Sequence, residues 1–195
     1  MKTLKISPNN PSFKIYNNSI LIGKSYKDNF ADFDTLIMGF CNDYKSTLSI
    51  PDEILYIGSN AFVDSLRLNE LRFSPTSKLK SIGKNAFKHC CLENICIPAS
   101  VEKIKKGAFG DMMDLKKIII PNNSKLKEIG VRAFSHSRIK SFFVPKNVKK
   151  IGEGAFDGCR KLETVDFDLN SQLKSIDKYI FSFSSIIYIT IPSTV

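Results

Sequence analysis

The sequence predicts a repeat solenoid, in which short coils stack around one continuous apolar core and a parallel β-sheet runs along one face. Three columns of residues predict it. A Phe, preceded by Ala in five of six cases, recurs at Phe62, Phe87, Phe109, Phe134, Phe156 and Phe181. An Ile stands five residues before each Phe, at Ile57, Ile82, Ile104, Ile129, Ile151 and Ile176. After each Phe comes apolar-x-x-apolar-x-apolar, as in Leu92, Ile95 and Ile97. Columns that keep one spacing over six copies mark stacked units, none of which could bury its apolar face alone.

The apolar-x-x-apolar-x-apolar segment is the predicted strand of a leucine-rich-repeat solenoid. It begins with Leu68, Leu71, Phe73 and continues through Leu115, Ile118, Ile120 and its later copies to Ile186, Ile189, Ile191. Side chains alternate along a strand, so the apolar members face inward and the residues between them face out. Pro51, Pro98, Pro121, Pro145 and Pro192 follow the strands and end the ladder, having no N–H to donate. Gly58, Gly83, Gly130 and Gly152 follow the Ile column and read as turns at positive φ, with Lys105 and Asp177 as exceptions.

The Phe intervals alternate between 25 and 22 residues, so the higher-order unit is 47 residues, from Phe62 to Phe109 to Phe156. The long coils have one more residue between Phe and strand and two more in the connector after it. The long connectors are Ser74 to Lys78, Pro121 to Lys125 and Asp168 to Gln172. Odd and even coils are therefore expected to bulge differently along one edge.

Phe40 opens a worn seventh copy, whose strand is Leu48 and Ile50. Upstream the pattern fails. Residues 13–23 read as two short strands around Asn17-Asn18, a hairpin candidate, and Asp34 to Met38 as a third strand. Residues 1–37 are assigned to an irregular N-terminal cap and 38–195 to a solenoid of about seven coils, one continuous domain overall. At the other end Val195 occupies the column of Val101 and Val148, so the chain stops as another coil begins. A fragment of a longer protein, or a last coil covered by a partner, would each account for that.

With 195 residues the chain can bury a core without disulfides or metal. Five cysteines without regular spacing argue against both. No stretch resembles a signal peptide or a membrane span. The net charge of +10 favours acidic partners without choosing among them. Specific nucleic-acid binding is not expected, because Arg and interleaved aromatics are scarce.

The run Ile97-Pro98-Ala99-Ser100-Val101-Glu102-Lys103-Ile104-Lys105-Lys106-Gly107-Ala108-Phe109 carries the pattern I-P-x-x-V-x-x-I-x-x-x-A-F, and a second copy spans Val144 to Phe156. This resembles the BspA-like class of leucine-rich repeats, over about residues 38–195. The resemblance implies a right-handed solenoid of a bacterial or protist surface protein, with a role in adhesion or protein binding. It brings no catalytic residues. Family members are often exported or membrane-anchored; this sequence shows neither signal, so its location stays open.

No enzyme, cofactor or metal is expected. His89 and His136 share a column but lie two coils apart, roughly 10 Å, too far to share one zinc directly. Cys90 and Cys159 read as packing inward, Cys96 as pointing out. The expected partner is a protein or host-surface macromolecule, contacted through the outward strand residues Glu70, Arg72, Asn94, Cys96, Lys117, Ile119, Ser141, Phe143, Thr164, Asp166, Tyr188 and Thr190. Ile119 and Phe143 are the apolar exceptions, read either as a hot spot or as covered by a neighbouring loop or by sheet curvature. A second candidate is the column Lys80, Lys127, Lys149 and Lys174, a possible anion-binding edge interrupted by Glu102. The alternatives to an adhesion module are an intracellular scaffold or weak polyanion binder, or a fragment of a longer surface protein.

Overall fold

The structure is a computed structural model and describes residues 5–24, 34–39 and 46–195. Its strands, in chain order, are β1 (Phe13–Tyr16), β2 (Ile20–Gly23), β3 (Thr35–Gly39), β4 (Ser46–Ile50), β5 (Tyr56–Ile57), β6 (Leu68–Phe73), β7 (Ser81–Ile82) and β8 (Asn94–Cys96). They continue as β9 (Lys103–Ile104), β10 (Lys117–Ile119), β11 (Glu128–Ile129), β12 (Ser141–Val144), β13 (Lys150–Ile151), β14 (Thr164–Phe167) and β15 (Tyr188–Ile189). The coils anchored at Phe62, Phe87, Phe109, Phe134 and Phe156 each supply one two-residue strand ending in the Ile column and one longer strand after the Phe.

The longest continuous sheet is built on the Ile column, which the sequence reading treated as the approach to a turn. Its order is β1-β2-β3-β5-β7-β9-β11-β13, parallel from β3 onward. A single bridge between Ile151 and Ile176 carries the pairing into the last coil. At its start, β1 and β2 pair antiparallel and turn through Asn17 and Asn18 at φ 46° and 52°. Three residues separate the paired Tyr16 and Ile20, and Ser19 N donates back to Tyr16 O at 3.1 Å across the two residues at positive φ. β3 then pairs antiparallel with β2 and parallel with β5, so the hairpin continues directly into the coils. Phe40 lies outside the described residues; the strand downstream of it, β4, buries Leu48 and Ile50 and pairs with β6.

The glycines after the Ile column do not have positive φ, contrary to the sequence expectation. Positive φ falls instead two residues before and two after each anchor Phe. Asn60, Asn85, Gly107, Arg132, Gly154 and Tyr179 form the first column, and Asp64, His89, Asp111, His136, Gly158 and Phe183 the second. Most are the residue types that tolerate the left-handed region. The Ile-column glycines answer a different constraint. A Cβ on Gly83 would lie 2.5 Å from the carbonyl carbon of Gly58, and one on Gly130 would lie 2.6 Å from that of Lys105. Neighbouring coils simply touch there.

The turns between the two strands are themselves laddered. Phe87 N donates to Ala108 O, Phe109 N to Ala133 O and Phe134 N to Ala155 O, while Asn85, His89 and their column mates donate on either side. This register stacks the anchor rings. Successive centroids from Phe62 to Phe181 are 5.0 to 5.8 Å apart, with interplanar angles of 5° to 19°. Phe62, Phe87, Phe109, Phe134 and Phe156 are fully buried, beside the Leu and Ile columns. Each such side chain contributes about 1.5–3 kcal/mol of burial, largely offset by chain entropy.

The strand face is segmented. β4 pairs with β6, β8 with β10, and β14 with both β12 and β15, with no strand pairing from β6 to β8 or from β10 to β12 among the described residues. Each seam follows a long coil. The 47-residue double unit thus becomes a hydrogen-bonded strand pair. In the last coil β14 and β15 still meet, over two residue pairs.

Candidate functional site

Of the twelve outward strand positions, eleven are exposed and Phe143 is half-buried. The alternation that buries Ile95, Val165 and Phe142 explains this placement. At the N-terminal end Arg72 grips Glu70 through two hydrogen bonds, Nε–Oε1 at 2.7 Å and Nη2–Oε2 at 3.0 Å. Those bonds hold the Glu70 carboxyl below its ordinary pKa, helped by Thr47. The pair is a self-satisfied polar surface, offering little to a partner.

Ile119 is 43% exposed and lies opposite Cys96 in the β8–β10 register, while Phe143 lies opposite Asp166 in the β12–β14 register. The two apolar side chains therefore border the second seam from opposite sides. At the C-terminal end Thr164, Asp166, Tyr188 and Thr190 come together along one groove of about 440 Å³, joined by Leu169 and Ile191.

The lysine column is exposed throughout, but it is not a uniform run of free charge. Lys127 Nζ donates to Glu102 Oε2 at 2.6 Å. That bond, with Lys80 and Lys125 nearby, holds the Glu102 carboxyl below its usual pKa. Among the described residues, no ion pair engages Lys149 or Lys174.

His89 sits between carboxylates of the coils on either side. Its Nδ1 is 2.8 Å from Asp64 Oδ1, its Nε2 is 3.5 Å from Asp111 Oδ2, and Lys88 also reaches Asp111 at 3.2 Å. All three members of this Asp-His-Asp ladder occupy the second positive-φ column. Among the described residues no group of three or more His, Cys, Asp or Glu is placed to hold a metal ion.

These stacked columns are what the comparisons with known proteins detect. The model of the BspA type leucine rich repeat region matches in six copies, over residues 38–163 and 80–195. The chain belongs to this family. No curated protein matches it. Among solved structures, this BspA-type chain is similar to the pneumococcal vaccine antigen PcpA, at 32% identity and a TM-score of 0.59, over 65% of this chain and 31% of that one. A leucine-rich repeat protein from Bacteroides ovatus is 26% identical with a TM-score of 0.68, over 93% and 54%. The T. pallidum leucine rich repeat protein shares the fold, at 24% identity and a TM-score of 0.66, over 78% and 70%. The chain thus spans about a third and about half the length of the first two.

The buried cysteines of this BspA-type core face inward, as their column implied. Cys159 Sγ donates to Phe134 O at 3.1 Å and lies 3.4 Å from Ser137 Oγ; Cys90 Sγ donates to Phe62 O at 2.9 Å. Burial pushes the Cys159 thiol up to about 11. Cys96 is exposed, as expected from its outward position. No helix among the described residues is long and apolar enough to cross a membrane.

Sequence reasoning passed over the apolar surface of the last coils, where Leu169, Tyr179, Phe183 and Ile187 are all exposed. Phe183 and Tyr179 stand in columns otherwise filled mainly by Asn, Asp, His and Gly, and Leu169 stands in the connector column of Pro75 and Asn122. A large apolar residue in a turn column was the available signal. A 47-residue Ser column was also legible and overlooked: Ser77, Ser124 and Ser171 each accept the N–H of the residue two further on.

Proposed function

We propose that the chain is a non-enzymatic binding module of an adhesive surface protein, capturing a protein along its strand face with Ile119 and Phe143 at the centre of the contact. The observation that carries this reading is Ile119, 43% exposed on a face otherwise lined mostly by polar side chains, with Phe143 across the seam. A pair of apolar side chains surrounded by Lys117, Ser141, Cys96 and Asp166 has the make-up of an interface centre, apolar inside and polar at the rim. Such positions carry a disproportionate share of binding energy, about 2 kcal/mol or more each. The groove lined by Thr164, Asp166, Tyr188 and Thr190 extends the same face toward the C-terminal coils. Likeness to a bacterial vaccine antigen supports a surface role. The reading as a non-enzyme is supported by membership of a repeat family whose pattern is accounted for by core packing.

The test compares wild type with Ile119→Ser/Phe143→Ser, each immobilised and presented with the same solubilised host-cell surface proteins, with retained proteins identified by mass spectrometry. Proteins held by wild type are expected to be lost from the variant, whose circular dichroism spectrum stays unchanged. The same proteins retained at the same level by both would remove this face from the reading.

A further inference from the structure

The connector edge of the solenoid carries a basic notch that the strand-face reading leaves unused. It encloses about 210 Å³ and is lined by Lys125, Lys127, Asn147, Lys149 and Gln172. Backbone bonds fix the coils that form it. Lys149 N donates to Lys127 O at 2.9 Å, and Gln172 N donates to Lys146 O at 2.9 Å. The Asn147 side chain is anchored as well, donating Nδ2–H to Ser124 O at 2.8 Å. Lys127, Lys149 and Lys174 then follow one another along the axis, with about 4.8 Å between neighbouring backbones. Like charges at that spacing repel unless an anion lies among them.

The 47-residue repeat supplies an internal comparison. Subtracting 47 from each lining position gives Lys78, Lys80, Ser100, Glu102 and Lys125. In that earlier double unit Glu102 stands where Lys149 stands in the later one. Its carboxylate takes Lys127 Nζ at 2.6 Å, and the nearby charges of Lys80 and Lys125 also favour its ionised form. The earlier edge therefore carries its own counter-anion. In the later one the corresponding residue is a cation, and among the described residues no ion pair engages Lys125 or Lys149.

We propose that the notch at Lys125, Asn147 and Lys149 binds a sulfate ester of a polysaccharide, an anion that takes the part Glu102 plays one double unit earlier. The lining favours this chemistry over nucleic acid. None of its residues is aromatic, so bases have no platform to stack on, and none is Arg. A sulfated glycan needs no such platform, because its sulfates project from a hydrated chain toward point charges such as lysine ammonium groups. The column continuing to Lys174 gives an extended chain a track along the solenoid axis.

The experiment measures heparin binding by calorimetry at 0.15 M salt. Lys125→Ala/Lys149→Ala is expected to bind about tenfold more weakly, a loss within reach of two exposed charge contacts. Lys103→Ala/Lys105→Ala, which removes equal charge from the sheet face, is expected to change binding by less than about twofold. Glu102→Lys is expected to strengthen binding by creating a second notch. Desulfated heparin and poly(U) RNA are expected to compete poorly. Equal losses in the two double variants, or RNA competing as well as heparin, would overturn the assignment. Ile119→Ser/Phe143→Ser leaves heparin binding intact, so failure here and failure of the strand-face reading are separate results.

Discussion

Truncating Phe109 to Ala tests the ring ladder at its centre. Phe109 is fully buried, and its ring stacks on Phe87 at 5.2 Å and 5° and on Phe134 at 5.4 Å and 7°. Removing a buried Phe ring costs about 3–5 kcal/mol, because the lost transfer energy adds to the cavity left behind. With stacking at both faces, Phe109→Ala is expected to cost about 4 kcal/mol. Phe181 is only partly buried and has one stacking partner, Phe156, at 5.8 Å and 19°. Phe181→Ala should therefore cost about half as much or less. Urea unfolding followed by far-ultraviolet circular dichroism measures both. For a chain of this size 4 kcal/mol corresponds to a fall in Tm of about 8–16 °C. Because a solenoid repeat touches only its neighbours, hydrogen exchange should quicken most in the coils flanking residue 109. Equal costs for the two variants, or a cost below about 1 kcal/mol for Phe109→Ala, would refute the account of the ladder as the organising contact.

Two further perturbations probe the backbone and the buried thiol. Gly83→Ala places a Cβ 2.5 Å from the backbone of Gly58 and should lose about 2 kcal/mol or more in urea unfolding, whereas Gly154→Asn, at φ +59° in a column that already holds Asn60 and Asn85, should stay within about 0.5 kcal/mol of wild type. Equal losses would contradict the coil-to-coil account of Gly83. Cys159 has its thiol pKa raised from 9.0 to about 11 by burial, so the fold favours the protonated form. Its contribution is complete below pH 9 and is lost as pH climbs from 9 to 11, by up to about 2–3 kcal/mol. Cys159→Ala should accordingly show a shallower loss of urea stability over that window than wild type, and parallel curves would contradict the assignment.

Burial of the Phe, Ile and Leu columns was legible in the residues, because a stacked coil must place an apolar group at the same point in every turn whatever its neighbours are. Outward exposure of Glu70, Asn94, Cys96 and Thr164 followed from the same alternation. The Asn, Asp and Gly residues flanking each Phe were readable as left-handed turns by their chemistry. They were passed over in favour of Gly58, Gly83, Gly130 and Gly152. Glycine serves both backbone freedom and close approach, and a sequence does not distinguish the two. The tertiary structure separates them by showing which Cβ would strike a neighbouring coil.

The candidate surfaces divide the same way. Local patterning placed Ile119 and Phe143 on the outer face and aligned Lys127, Lys149 and Lys174. The break between β10 and β12, the reach of Lys127 to Glu102 and the position of Lys149, which no ion pair engages among the described residues, all depend on chain segments more than twenty residues apart. Hydrogen-bond register and charge pairing between coils are properties of two segments at once, set when the coils stack. Periodicity along one chain fixes what each coil must bury, and stacking fixes what each coil leaves for a partner.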